Sequence, residues 1–463
     1  MYGLRLLFVL IAELPDISRA GCEIDIANEI PNTEVNITDF GAIANDNTDD
    51  AEAINAAINS LSSDGGTVHI PEGRWIVEKV IEIHESNIRI TGSADGSTIL
   101  SFPKSLTDIF GKNKNWIWSG GLLRLKPWGS HAVQGVVHAT APEGSSSLDV
   151  QWDGNMPAIG TWVQIWWHND IGQDSLLSWL YGDAIKPSQY GREMRSSTKP
   201  IVRSWFKVVK VSESSLTIDP PLPMPIDLRW KPTIVVVPYL EKIIVENLTF
   251  EFKNTKYPGH LKEKGYNAIA ASSLLECEIR NINIINADSG IILDGCGFTT
   301  LRNIEIDGRY MHHPICLSSC NHCLVEDFVI DAPHKHGTTI SWASHFNVFH
   351  RGVGNELAMD AHRACSFRNL HQDIVIEHGE FPKQPLRSGG AYSRGLHAAR
   401  ENVYWNIEHR FLHEGDSFQI MYLNEWPLGI FVGWHGNRRI EMNPALEGQI
   451  VHETNLEAKT NPF

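Results

Sequence analysis

The chain has 463 residues, 42% of them hydrophobic and 20% charged, with 55 Asp and Glu against 39 Lys and Arg and a formal net charge of −16. This composition is ordinary for a soluble globular protein with a large core, in several domains or one long repetitive one. The acidic balance excludes the basic surface that nucleic acid requires, but not an anionic sugar polymer met by locally concentrated cations. The 15 Trp are numerous; their faces suit sugar rings, although most Trp serve packing.

The N-terminus, MYGLRLLFVLIAELPDISRAGC, sets Arg5 before the apolar run Leu6–Ala12 and ends in Ser18-Arg19-Ala20. It reads as a short secretory leader over 1–21, which places the mature chain outside the cytoplasm, secreted or periplasmic. No later segment is long and apolar enough to span a membrane.

Next comes ITDFGAIANDNTDDAEAINAAINSLSSDGGTVHIPEGRWIV. Asp49 or Asp50 can cap a helix that carries Ile54 and Ile58 on one face. Gly65-Gly66 turns the chain into a strand at Thr67–Ile70, and Pro71-Glu72-Gly73 turns it again. The D-F-G-A, T-D-D, A-I-x-x-A-I and G-G-x-V-x-I-P-x-G elements resemble the N-terminal signature of the pectate-lyase-like β-helix superfamily. The resemblance covers about residues 34–104 and implies an all-β, right-handed parallel β-helix with an N-terminal capping helix. It is specific for fold and not for reaction.

Residues 105–240 break the pattern with a density of Trp (Trp116, Trp118, Trp128, Trp152, Trp162, Trp166, Trp167, Trp179) and strand-like runs such as TWVQIWW. They read as a β-rich insertion packed against the helix, either one wall of a groove or a purely structural subdomain.

From 241 to the C-terminus the chain repeats. NAIAASS, IILDGCG, ICLSSCN, TTISWAS and HRACSFR begin at Asn267, Ile291, Ile315, Thr338 and His362, 24, 24, 23 and 24 residues apart. A second series, at Ile279, Leu301, Val325 and Val348, recurs at 22, 24 and 23 residues. Short alternating units that cannot bury a face alone must stack, about 4.8 Å per coil, as a parallel β-helix. The leucine-rich pattern is missing. Leu293, Leu317 and Ile340 align as an inward column, and Ile292, Cys316, Thr339 and Arg363 with Asp294, Ser318, Ser341 and Cys365 should point outward. Six of the seven Cys lie between Cys277 and Cys365. Cys316, Cys320 and Cys323 with His322 suggest a metal site, but paired C-x-x-C knuckles are lacking, and small buried residues in a repeating core is the plainer reading.

In this frame PHKHGTTIS (Pro333–Ser341) is the turn into one coil strand. The turn before it is Met311-His312-His313-Pro314, and the turn after it is Ala358-Met359-Asp360-Ala361. Stacking gathers His312, His313, Lys335, His336, Asp360, His362 and Arg363. A Lys or His desolvated among like charges becomes a competent base; the plainer alternative is a set of solvated turn residues. A second cationic stretch holds Arg387, Arg394, His397 and Arg400, with Gly389-Gly390 permitting a close backbone approach.

Lyases of the resembled superfamily use Lys, Arg or His to remove the proton beside a uronate carboxylate, which a cation or Ca²⁺ neutralises. The resemblance therefore implies β-elimination on an acidic polysaccharide. Lys335 or His336 would be the base, and His362 or Arg363 would neutralise charge or assist the leaving group. His313, Asp294, Asp360, Tyr266, Trp342, Arg387, Arg394 and His397 would bind substrate, and Ca²⁺ is the one cofactor it suggests. The polygalacturonase pattern of N-x-D, D-D, G-H-G and R-I-K is not present in order. Asp294, Asp307, Asp327 and Asp331 keep glycoside hydrolysis open, and a non-catalytic carbohydrate-binding β-helix is the third reading.

Overall fold

A computed structural model describes residues 19–21, 26–61, 64–170, 172–195, 198–386, 389–452 and 454–456. Most of the leader-like segment, and Arg387, fall outside the described residues. Among the described residues no helix is long and apolar enough to cross a membrane.

Each coil of the repeat gives one strand to a 15-stranded sheet and one to a seven-stranded sheet. In the long sheet Glu278–Ile285, Thr300–Asp307, Leu324–Ile330 and Val348–Asn355 pair in parallel, each coil on the next. These strands are bent at one stacked position, where Asn281, Asn303, Asp327 and Arg351 take φ between 52° and 53°. Asn and Asp tolerate this left-handed conformation. The bend skips one pairing per strand and folds the long sheet into two faces, so the coil is three-sided. Asn303 donates to Asn281 and Asn281 to Asn247, both at 2.9 Å, so the bend forms its own hydrogen-bonded ladder.

The seven-stranded sheet includes Asn267–Ser272, Ser289–Asp294, His313–Ser318, Thr338–Ser341 and Met359–Ala361. The expected column is present: Leu293 pairs with Leu317 and Leu317 with Ile340, all fully buried. The last coil differs from the sequence reading. The partner of Thr338 is Met359, and that of Thr339 is Asp360, so the strand begins three residues before His362. Arg363, Ala364 and Cys365 all have left-handed backbones, φ 63°, 63° and 66°, and wind the chain out of the sheet. Arg363 therefore does not stack beneath Thr339; Asp360 does.

Helix Ala51–Ser60 packs Ala51, Ile54, Ala57 and Ile58 against the core. Asp49 accepts from the Ala51 amide at 3.1 Å, and the nearly buried Asp50 accepts from Ile43 and Ile76 instead. The insertion is narrower than its composition suggests, because strand Leu123–Leu125 belongs to the seven-stranded sheet. Beyond that strand the chain forms a closed six-stranded barrel, from Ala132–Val137 to Thr233–Val236. The barrel docks on the coil turns through polar anchors: Trp205 Nε1 donates to the Gly295 carbonyl at 2.7 Å, and Ser204 meets His345 at 3.1 Å.

Candidate functional site

The site is built where the turns enter the seven-stranded sheet. Lys335 and His336 donate backbone hydrogen bonds to Met311 and His312, both at 3.0 Å, so the two His-rich turns lie one on the other. The His313 and His336 rings consequently stack with centroids 4.5 Å apart, and His362 stands edge-on to His336 at 4.6 Å.

Asp360 lies beneath them, fully buried. Its Oδ2 is 2.8 Å from His362 Nδ1, 3.1 Å from His336 Nδ1 and 3.1 Å from the Thr339 hydroxyl, while Oδ1 accepts from the Gly389 amide at 2.9 Å. Burial alone would raise this carboxyl, but the charges and hydrogen bonds of His362 and His336 outweigh it and hold the group well below the usual carboxylate range. It is a buried anion with four partners. Gly389 is required beside it, since a Cβ there would fall 2.2 Å from His336 Cε1 and 2.6 Å from His362 Cε1.

The tautomers follow from the partners. The Thr339 hydroxyl donates to Asp360, so its oxygen accepts from His313 Nδ1, 3.0 Å away. His312 Nδ1 donates to the Ile117 carbonyl at 3.0 Å. Burial, then His336, pushes His313 well below the ordinary imidazole range and His312 to about 3, so both are neutral. His312 and His313 therefore each commit Nδ1–H to an oxygen and leave a lone pair on Nε2, and His336 and His362, with Nδ1 turned to Asp360, have Nε2 as the ring nitrogen left over. No hydrogen-bond partner occupies those Nε2 atoms among the described residues. The exposed His260 faces this group, its ring centre 5.0 Å from His312 and 5.9 Å from His336. Burial and the neighbouring His336 lower its pKa. Lys335 is exposed at the rim.

The remaining sequence candidates divide. Arg363 is 3% exposed, pairs with Glu425 at 3.1 Å and lies over the Tyr392 ring at 4.4 Å. His397 contacts the same Glu425 at 3.4 Å, and burial, then Arg363, lowers it to about 4. Both belong to a buried network beside the histidines. Tyr266 is packed in the core against Phe252 and does not face the cluster. Trp342 is exposed, with Arg394 stacked 4.6 Å over its ring and held by Glu193 at 3.2 Å. Asp294 ends its strand exposed to solvent but hemmed in by neighbours; this crowding raises its carboxyl against the opposing pull of Ser318 and Arg203. Asp307 and Asp331 are solvated ends of long-sheet strands, and Asp327 is paired with Arg351 at 2.6 Å, so none of the three joins Asp294. Cys316, Cys320 and Cys323 with His322 make no metal site among the described residues: the Cys320 and Cys323 thiols donate to backbone carbonyls, and His322 stacks on Phe298. Nor does the cluster fit Ca²⁺, which takes six or more oxygen ligands, because it offers mainly imidazole nitrogens, Asp360 is already saturated, and the one other buried carboxylate beside it among the described residues, Glu263 at 3.8 Å from His312, is bonded to Tyr257.

Sequence reasoning missed His260, Gly389 as a packing partner, Thr339 as a relay and Glu425. His260 lies in a loop outside the repeat, where no periodic signal could have found it.

Residues 34–128 match the family model "Rhamnogalacturonase A/epimerase, pectate lyase-like". The chain folds as a parallel β-helix, and its N-terminal part is similar to that pectate lyase-like family. Two curated relatives from Azotobacter vinelandii match in part. "Alginate lyase 7" is 39% identical over 74 residues, 14% of this chain and 9% of that protein. "Mannuronan C5-epimerase AlgE1" is 28% identical over 152 residues, 30% of this chain and 9% of that protein. The match thus spans about a tenth of each relative's length. Among solved structures, the tailspike gp49 of Pseudomonas phage LKA1 aligns with TM-score 0.47 and 13% identity over 89% of this chain and 77% of that one. The A-module of Azotobacter vinelandii mannuronan C-5 epimerase AlgE4 aligns with TM-score 0.42 and 12% identity over 91% and 95%.

Proposed function

We propose that this pectate lyase-like chain is a polysaccharide-degrading enzyme that cleaves a uronate-containing polymer by β-elimination. The observation that carries the reading is the buried Asp360 carboxylate holding His336 and His362 by their Nδ1 atoms. Each Nε2 is then a positioned proton acceptor or, once protonated, a donor. One of the pair takes the C5 proton of a uronate. The C5–H electrons form the C4=C5 double bond, the C4–O bond breaks, and the leaving oxygen takes a proton from the other imidazolium. Lys335, exposed between His334 and His336, is the cation available to the uronate carboxylate, since Arg363 is already engaged by Glu425. The names of the two partial relatives, an alginate lyase and a mannuronan epimerase, are consistent with this substrate class. Hydrolysis is less well supported, because the buried carboxylate is committed to histidines and Asp294 lacks a carboxylate partner from its group.

The test is incubation with a panel of uronate polymers while monitoring the ultraviolet absorbance of the unsaturated product. Wild type should generate it, and Asp360→Asn should lose on the order of 10⁴-fold in rate, as when a histidine loses its orienting carboxylate. New reducing ends without that absorbance would overturn elimination in favour of hydrolysis. Solvent deuterium entering uncleaved polymer would point to epimerisation. Binding without any of these would leave a carbohydrate-binding module.

A further inference from the structure

The same histidines make a second kind of site. The ligand-capable atoms of His313, His336 and His362 lie within 4.8 Å of one another, as do those of His260, His312 and His336. Five imidazoles in two trios that share His336 exceed what a proton-transfer pair requires. Two further features belong to metal sites. The Nδ1 atoms of His336 and His362 are bound to a buried carboxylate, and that of His313 reaches the same carboxylate through Thr339. This arrangement fixes ligand tautomer and ring orientation around bound metals. The net charge of −16 favours approach of a cation.

We propose that His313, His336 and His362 bind one divalent transition-metal ion of the Zn²⁺ type through their Nε2 atoms. Three imidazoles with an open fourth position suit Zn²⁺ and its first-row neighbours and not Ca²⁺ or Mg²⁺. Zn–N bonds of about 2.1 Å set tetrahedral nitrogens about 3.4 Å apart, so ligand atoms now within 4.8 Å of one another would close by up to about 1.4 Å. His362, partly exposed, has room to do so. The fourth position would take water or a carboxylate oxygen. The second trio shares His336, so one ion there excludes another through the same nitrogen.

This binding stands whether or not the chain is a lyase. Its consequence for activity rests on that reading: the lone pairs that hold the ion are those that would move protons, so metal loading and elimination exclude each other.

The experiment is a calorimetric titration of Zn²⁺ into tag-free, chelator-treated full chain, with Co²⁺ absorption reporting ligand geometry. Wild type should take up one ion per chain and give intense visible Co²⁺ bands of tetrahedral type. His362→Ala, at the partly exposed edge of the cluster, should keep the wild-type circular dichroism and weaken binding about 10–100-fold or more, whereas His260→Ala should leave affinity unchanged. Affinity equal in wild type and His362→Ala, weak octahedral Co²⁺ bands, or loss of binding in His260→Ala alone would each overturn the assignment. Failure of the lyase reading leaves these readouts unaffected. If elimination does occur, added Zn²⁺ should suppress it and a chelator restore it.

Discussion

His345 offers a quantitative test of how the barrel is joined to the helix. Its ring is fully buried, stacked on Phe367 at 4.8 Å, with Nδ1 donating to the Ala343 carbonyl at 2.8 Å. Nε2 is then the acceptor for the Ser204 hydroxyl of the barrel at 3.1 Å. Burial lowers its pKa from 6.5 to about 4, the Ala343 hydrogen bond opposing and the Arg368 charge assisting. The folded pKa is depressed, so the unfolded chain takes up the proton first as pH falls. Stability from this group is complete above pH 6.5, declines below it and is lost by pH 4. The difference of 2.5 units corresponds to about 3 kcal/mol. His345→Phe keeps the stacking and abolishes the titration, but leaves Ala343 and Ser204 short of a partner, at a cost of about 2 kcal/mol at pH 7. Urea unfolding monitored by Trp fluorescence should show the variant weaker than wild type at pH 7 and level with it or stronger at pH 4. The other buried histidines, such as His371 at about 3 and His334 at about 4, titrate alike in both proteins and cancel. A gap that stayed constant with pH would refute the neutral, buried assignment of His345.

Leu317→Ala removes the middle of the Leu293–Leu317–Ile340 column and should cost about 2–5 kcal/mol in denaturant unfolding, with circular dichroism unchanged. Gly389→Ala should push the His336 and His362 rings aside and lower turnover on the order of a hundredfold, since misplacement by about 1 Å is enough; the melting temperature should move little. Arg363→Ala should lower stability by about 3 kcal/mol by leaving Glu425 without its guanidinium. Calorimetry checks this, and partial rescue by Arg363→Lys would identify the lost charge as the cause.

The repeat was legible because a solenoid writes its architecture as a period. The Leu293 column comes from aligning three coils, and it is the column observed. The same alignment failed one coil later. Nothing about Arg363, Ala364 and Cys365 as residue types announces three successive left-handed backbones, a conformation usually left to Gly and Asn. A period therefore locates strands well where turns keep their length, and misplaces side chains where a turn changes it. The slip mattered for chemistry, because it exchanged a guanidinium for a carboxylate at the centre of the site.

That exchange also explains why titratable residues cluster in an acidic chain. An ionised carboxylate buried like that of Asp360 is tolerable only with several hydrogen-bond donors around it. In a stacked helix the donors available at that depth come from the coil before and from the chain downstream. Thr339 supplies one from the preceding coil, with His313 behind it from the coil before that. His336 supplies another from the turn into Thr338–Ser341, and His362 and the Gly389 amide come from the chain downstream. Imidazole suits this position better than ammonium or guanidinium, because it gives one hydrogen to the carboxylate and keeps a lone pair on its far side. Lys335, between two histidines, cannot provide that and is turned out to the rim. The sequence His-Lys-His thus alternates inward and outward, and of its two inward members His336 is oriented by the buried anion while His334 turns its Nδ1 to the Ala332 carbonyl.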